Sequence, residues 1–469
     1  MSDPAPNPRR TRITALIVAF ALLMQNLDGT VIATALPAMA RSFGVDPLRM
    51  NLALTSYLLA LAVFIPVSGW MADRFGSRTV FRAAIAVFTI GSVLCGYSVS
   101  LPMLIGSRIV QGLGGAMMVP VGRLVLLRSV AKSELVAAMA WLTTPALIGP
   151  VLGPPLGGFL VTYADWRWIF TINVPVGVIG ILLVTMYVDD VREARPGRLD
   201  WVGLILSGAS LSGLTFGAEM LGRGVATAWA IASCLSVGVV TGWAYIRHAR
   251  GRPDPILDLS LLRIPTFAVS VLAGTLFRIG VGAIPFLLPM MFQLGFGDSA
   301  AQSGMITFAS AIGAIAMKPA AQGALRAFGF RATLFWNAVA SAVGVGLCAA
   351  FRPWWPIAAI YAALIFAGFL RSLQFTAYNT IAYADIPRTR MSAATSLYST
   401  IQQLSLTFGV TIGAAVLAIT SGFSGHARLE PADFSVAFLV VAAMMLLAAP
   451  ASRLMPADAG AEMSGHRHH

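Results

Sequence analysis

The stretch Leu22–Pro37, LLMQNLDGTVIATALP, carries one ionisable side chain, Asp28, in a run apolar enough to sit in lipid. A carboxyl group at that depth is costly, so it marks a functional position by default. Burial opposes its charge, while a neighbouring guanidinium would favour it. Held between those effects, an acid can load a proton on one side and release it on the other. Arg108, Arg123, Arg278, Lys318 and Arg371 interrupt equally apolar runs. Guanidinium groups recognise carboxylate or phosphate through paired hydrogen bonds, so Arg278 and Arg371 suggest an anion site. No metal-ligand spacing stands out, and the tail GHRHH reads as a disordered terminus. Neither a Gly-x-Ser-x-Gly elbow nor a Gly-x4-Gly-Lys-Ser/Thr phosphate loop occurs. The expectation is no enzyme, no cofactor, no metal and no ATPase motor of that kind.

These residues must be positioned by helices in a membrane. Of 469 residues, 57% are hydrophobic and 11% charged, with a mean hydropathy of +0.79; soluble domains are about a quarter charged. A transmembrane barrel would instead alternate in polarity. Apolar segments place helices at roughly 13–37, 49–71, 79–99, 101–127, 135–162, 167–187, 199–219, 227–246, 265–293, 300–322, 331–350, 354–380, 392–420 and 431–453. An even number puts both termini on one side. Arginines at 9, 10, 12, 74, 78, 82, 128, 192, 195, 198, 247, 250, 252, 263, 326, 331, 388 and 390, with Lys132, then fall on the N-terminal side. The opposite side receives Arg41, Arg49, Arg167, Arg223, Arg352 and Arg428, a bias of about threefold that makes the N-terminal side cytoplasmic. The net charge of +13 is therefore topogenic and does not call for nucleic acid. Cys95, Cys234 and Cys348 read as free buried thiols. The first apolar run has no cleavage site and reads as a retained helix.

A repeat is visible. RFGSRTVF (Arg74–Phe81) and AFGFRATLF (Ala327–Phe335) both carry Phe-Gly-x-Arg after a helix. Their spacing suits two six-helix bundles, 1–187 and 265–469, around an inserted helix pair with linkers, 188–264. Such internal symmetry is the mark of transporters built from related bundles.

Four stretches carry a family resemblance. GWMADRFGSR (Gly69–Arg78) resembles the loop signature of the major facilitator superfamily, with Ser77 where a basic residue is common. LIGSRIVQGLGGA (Leu104–Ala116) is similar to its fourth-helix motif, and GPVLGPPLGGFL (Gly149–Leu160) to the fifth-helix motif of antiporters. LDGTVIATALP matches the first-helix motif of the fourteen-helix drug:proton antiporter branch, with Ala33-Thr34 where Asn-Val is more usual. WRWIFTINVPVG (Trp166–Gly177) resembles that branch too. GGAMMVPVGRL (Gly114–Leu124) and FRIGVGAIPFLLPMMFQLGFG (Phe277–Gly297) are closest to its MdtD-like subgroup. The fold implied is all-α and membrane-integral, two bundles plus the inserted pair, in a bacterial-type inner membrane.

The resemblance implies gating by the motif residues Gly69, Asp73, Arg74, Gly76 and Arg78, where Asp73 and the arginines can form a charge cluster that steadies one face of the cycle. Gly149, Gly153 and Gly157 recur every fourth residue, a smooth stripe for backbone contact; Gly158 adjoins it, and Pro150, Pro154 and Pro155 each remove a backbone donor. The first and fourth helices of each bundle are implied to line a central cavity, and Asp28, Arg108, Arg123, Arg278 and Arg371 fall on them. At about 1.5 Å per residue, Asp28 and Arg108 reach similar depths and can pair. Asp28 is then the proton-coupling acid with Arg108 beside it, or the two form a permanent structural ion pair. Arg123 and Lys318 lie nearer helix ends, where snorkelling is as open as function.

The cavity is expected to hold Arg278, Arg371, Gln293, Gln374, Tyr378, Asn379 and Gln403, with Phe286, Met290 and Met291 as an adaptable apolar wall. The resemblance implies export of drugs, typically lipophilic cations, against protons. The arginines favour organic anions, such as a di- or tricarboxylate with or without a metal attached. A non-transporting sensor is the remote alternative, and lacks an output domain. Expected partners are a small-molecule substrate, protons and the lipid bilayer, with the protein a monomer. Glu219, near an outer helix end, reads as lipid-interfacial or pore-neutral.

Overall fold

The computed structural model describes residues 8–45, 50–130, 132–192, 197–223, 227–424 and 430–466; the expected loop positions Arg49, Arg195 and Arg428 lie outside them. Every long apolar run forms a helix, because a chain in lipid must satisfy its backbone hydrogen bonds internally. The first set is α1 (Pro8–Phe43), α2 (Asn51–Phe64), α3 (Ser68–Phe75), α4 (Ser77–Gly96), α5 (Leu101–Ser129), α6 (Leu135–Tyr163), α7 (Trp168–Thr171) and α8 (Asn173–Tyr187). The inserted pair is α9 (Trp201–Arg223) and α10 (Ala228–Arg250). There follow α11 (Pro265–Met290), α12 (Ala300–Ala316), α13 (Lys318–Cys348), α14 (Ile357–Ile381), α15 (Met391–Ser424), α16 (Pro431–Leu446), α17 (Ala448–Ser452) and α18 (Ala461–Ser464).

Among the described residues, 11 helices are long and apolar enough to cross a membrane, and up to 12 if α2 and α3, bent by 59°, form one broken span. The two other spans read from the sequence coincide with α6 and α12, so the helix order is consistent with fourteen.

The sequence repeat has a structural counterpart. Gly76, in RFGSR, has φ 92°, and Gly329, in AFGFR, has φ 70° with ψ 170°. Each ends a short segment that begins at a break, α3 after residues 65–67 and the first part of α13 after Met317. The tenth expected helix, 300–322, is therefore interrupted at Met317, and Pro319 supplies a reason, since a proline removes a backbone donor. A side chain at either glycine is strained, and a Cβ on Gly76 would run into the Asp190 carboxylate. Gly76→Ala and Gly329→Ala are each expected to cost about 1–3 kcal/mol, read as a lower thermal unfolding midpoint in detergent.

Within the first set α1 packs on α6, α4 on α5 and α8, and α2 on α5; in the second, α11 packs on α15 and α16, α12 on α14, and α13 on α14 and α16. The sets meet where α6 touches α12 and α14, and where α15 touches α3 and α5. The inserted helix α9 lies against α2 and α15, one helix from each set, while α10 packs on α9. Glu219 on α9 faces α2, where it accepts a hydrogen bond from Thr55 at 3.5 Å. The lipid-interfacial reading is corrected: a glutamate on the packed side of α9 meets a protein hydroxyl.

Candidate functional site

Asp28 is 3% exposed and sits at the centre of a buried polar cluster. Its Oδ2 accepts from Arg108 Nη1 at 2.5 Å, and its Oδ1 from Gln111 Nε2 at 2.8 Å and Asn173 Nδ2 at 3.2 Å. Gln111 and Asn173 also donate to Ser92 Oγ, at 2.8 and 2.9 Å. Arg108, fully buried, gives its Nε to the Ala53 carbonyl and a second Nη1 bond to Gln111 Oε1, and its Cζ lies 4.1 Å from the centre of the Tyr57 ring. Five helices, α1, α2, α4, α5 and α8, thus converge on one carboxylate. The carboxylate ties α1 to α5 and α8 through three hydrogen bonds.

A second cluster joins the two sets. Arg123 on α5 reaches across to α14–α15, donating to Tyr383 Oη and Ser399 Oγ at 3.3 Å each and to Gln402 Oε1 at 2.9 Å. Arg278 on α11 donates to Tyr398 Oη. The Tyr398 ring lies between both guanidiniums, its centroid 4.5 Å from Arg278 Cζ and 5.2 Å from Arg123 Cζ. Arg278 Nε and Nη1, Arg123 Nε and Arg371 Nε have no hydrogen-bond partner. Among the described residues no carboxylate pairs with any of the three. Of the readings left open for Arg123, snorkelling does not fit: the residue is 3% exposed and reaches inward to Tyr383, Ser399 and Gln402. Lys318 is likewise buried, at 6% exposed, and donates to the Ala140 carbonyl and to Thr143 Oγ1.

The other expected cavity residues are dispersed. Gln374 bridges α14 to α13, donating to Leu334 O and accepting from Asn337. Tyr378 Oη shares a hydrogen bond of 2.7 Å with Ser452, and Asn379 donates to Phe375 O. Gln293 is exposed and meets Ser303 at 3.5 Å, while Gln403, Phe286 and Met290 are half-buried and Met291 is buried.

The motif residues meet at the junction of the sets. Asp73 pairs with Arg128 at 3.1 Å and accepts a hydrogen bond from Ser392 at the start of α15. A Cβ on Gly69 would lie 2.7 Å from Ser392 O, so a glycine there permits that approach. Ser396 donates to the carbonyls of Ile65 and Pro66, at 3.2 and 2.8 Å. Arg74 is exposed, and Arg78 donates to Val188 O at 3.5 Å, so the arginine paired with Asp73 comes from the end of α5 and not from the loop. Beside the loop, burial opposes the charge of Asp190, but hydrogen bonds from Arg192 and the Thr79 N–H and the nearby Arg78 charge outweigh it, holding that carboxyl below its usual range.

Along α6, Gly149 and Gly153 press on α1, where a Cβ on Gly149 would lie 2.6 Å from Asn26 Cβ and one on Gly153 would strike Thr30. Thr30 Oγ1 also donates to Gly149 O at 3.3 Å. Gly157 is buried and Gly158 half-buried; the Pro150 and Pro154 side chains lie outside the described residues. Gly149→Val is expected to cost about 1–3 kcal/mol by overpacking, measured as a loss of thermal stability.

Sequence reading missed Ser92, Tyr57 and Asn173 in the Asp28 cluster and Tyr383, Tyr398, Ser399 and Gln402 in the arginine cluster. Asn173 carried the one usable signal, an amide within the quoted motif WRWIFTINVPVG.

With this geometry in place, three comparisons bear on it. The family model described as Major Facilitator Superfamily matches residues 18–262 and 270–463. A Klebsiella pneumoniae (strain 342) protein named "Putative multidrug resistance protein MdtD" is 37% identical over 462 residues, 97% of this chain and 96% of that one. A Salmonella typhimurium protein of the same name is 38% identical over 422 residues, 88% and 87% of the two chains. The crystal structure of the human organic anion transporter MFSD10 superposes with TM-score 0.68 at 17% identity, covering 95% of this chain and 100% of that one. The proton:xylose symporter XylE superposes with TM-score 0.63 at 16% identity, covering 95% of each.

Proposed function

The chain belongs to the major facilitator superfamily, a multi-pass transporter family, and on that premise we propose that it is a proton-coupled exporter working by alternating access. The observation that carries the coupling is the Asp28 cluster: one acid, buried in an apolar chain, whose three donors come from two other helices, α5 and α8. Proton uptake at Asp28 loosens those bonds, and release to the other side restores them. Residues 1–187 and 265–469 serve as the two moving bundles, with both termini cytoplasmic by the arginine bias. Asp73, Gly69, Ser392 and Ser396 close one seam between them on that side.

For cargo, the relatives named for multidrug resistance support small-molecule drug export. A second reading, export of organic anions such as a di- or tricarboxylate, is favoured by the arginine cluster. Arg123 and Arg278 are buried without carboxylates among the described residues, as is Arg371 outside that cluster on α14, and Asp28, the acid that would greet a cation, is already held by Arg108. Thermal-shift competition on the purified protein separates the readings. Citrate-like anions are expected to stabilise it; stabilisation by dye cations with none by such anions would reject the anion reading.

A further inference from the structure

We propose that Lys318 is the return spring of a second seam between the bundles, an ammonium enclosed among neutral acceptors whose rehydration drives that seam open again. That role rests on the alternating-access reading above. The two seams are related by the repeat. Ile65 and Lys318 each lie eleven positions before their positive-φ glycine, Gly76 and Gly329. Ser396 and Ala140 each lie five positions past the first residue of α15 and α6. At the first seam Ser396 donates to the Ile65 carbonyl; at its counterpart Lys318 donates to the Ala140 carbonyl. At this matched position the first seam thus uses a neutral hydroxyl and the second a cation.

Among the described residues, the surroundings of Lys318 supply no counter-charge. Its partners are Ala140 O and Thr143 Oγ1, and Thr143 in turn shares a 3.0 Å hydrogen bond with Thr376. Helices α12 and α17 bear no ionisable side chain, and α6 bears only Tyr163, exposed at its last residue. Of the charged groups on the other elements packed against α13, Asp433 on α16 caps its own helix and Glu462 on α18 pairs with Lys132. Arg371 on α14 has the same sign as Lys318. Tyr361 and Tyr378 are the other titratable side chains of α14, and Arg326 and Arg331 lie on α13 itself. Enclosing an ion without a counter-ion costs more than such contacts return, and an apolar side chain of similar size is commonly better tolerated. Closure therefore stores free energy at Lys318 that wetting releases. A purely adhesive role predicts the opposite response to removing the charge.

The test uses the full-length protein in nanodiscs, with no gradient and no cargo. Cys95, Cys234 and Cys348 are replaced by alanine, and spin labels are placed at Trp141→Cys and Phe328→Cys, which are exposed on α6 and α13. Lys318→Met is expected to reduce the long-distance, open population about tenfold and to raise the thermal unfolding midpoint. Lys318→Gln keeps a hydrogen-bond donor without the charge and is expected to close the seam likewise, which covers a Met variant that fails to fold. An open population that rises or stays constant in the neutral variants would overturn the spring. A single short distance in the wild type under every condition would overturn alternating access as well. Since neither readout involves a proton gradient, loss of the Asp28 coupling reading would leave this result standing.

Discussion

Asp28→Asn is expected to abolish export driven by an imposed pH gradient in proteoliposomes, a fall of at least about tenfold, or 1.4 kcal/mol of coupling. Asparagine fills the same space but cannot carry the proton. It also leaves Arg108 buried without its anion, at a cost of about 3–5 kcal/mol, so the single variant should melt earlier too. That loss must be separated from coupling. Asp28→Asn combined with Arg108→Gln removes both charges and is expected to regain thermal stability without regaining gradient-driven export. A structural ion pair alone predicts that the double variant recovers both. Gradient-driven export by Asp28→Asn at the wild-type rate would defeat the coupling role.

The second large effect concerns Arg278. Arg278→Met is expected to weaken binding of a citrate-like anion by roughly thirtyfold or more, from the about 2–5 kcal/mol lost when a desolvated charge partner is truncated. The fold should survive, because Arg278 breaks no ion pair on leaving and its neighbours Tyr398 and Phe375 are aromatic. Arg123→Met is expected to act in the same direction from the other bundle. Unchanged anion affinity in both would remove the arginine cluster from the cargo site and leave the drug reading in place.

Much of this was legible in the residues. The spans follow from apolar length, and the Asp28–Arg108 contact from similar axial depth on two helices that the family resemblance brings to one cavity. The two glycines that end the short segments were legible as a Phe-Gly-x-Arg repeat, since few other residues tolerate those φ values. The break at Met317 was missed although Pro319 announced it. The role of Arg123 stayed open because depth along a helix says nothing about its face. Fifteen residues beyond Arg108 on α5, it has rotated away from α1 and toward α14–α15. Ser92 was beyond reach for another reason. Hydroxyls in membrane helices commonly bond their own i−4 carbonyl, as Thr89 and Ser98 do here, so a serine that instead accepts from Gln111 and Asn173 looks the same in sequence. The loop arginines near Asp73 drew attention from Arg128, which arrives from the far end of α5.

The most direct test of the central claim reads the proton on Asp28 itself. Infrared difference spectra of the reconstituted protein between alkaline and acidic buffer should show a carboxylic-acid carbonyl band that disappears in Asp28→Asn. A band unchanged in that variant, or no protonation signal across the range, would mean the acid at the centre of α1 holds helices together and carries nothing.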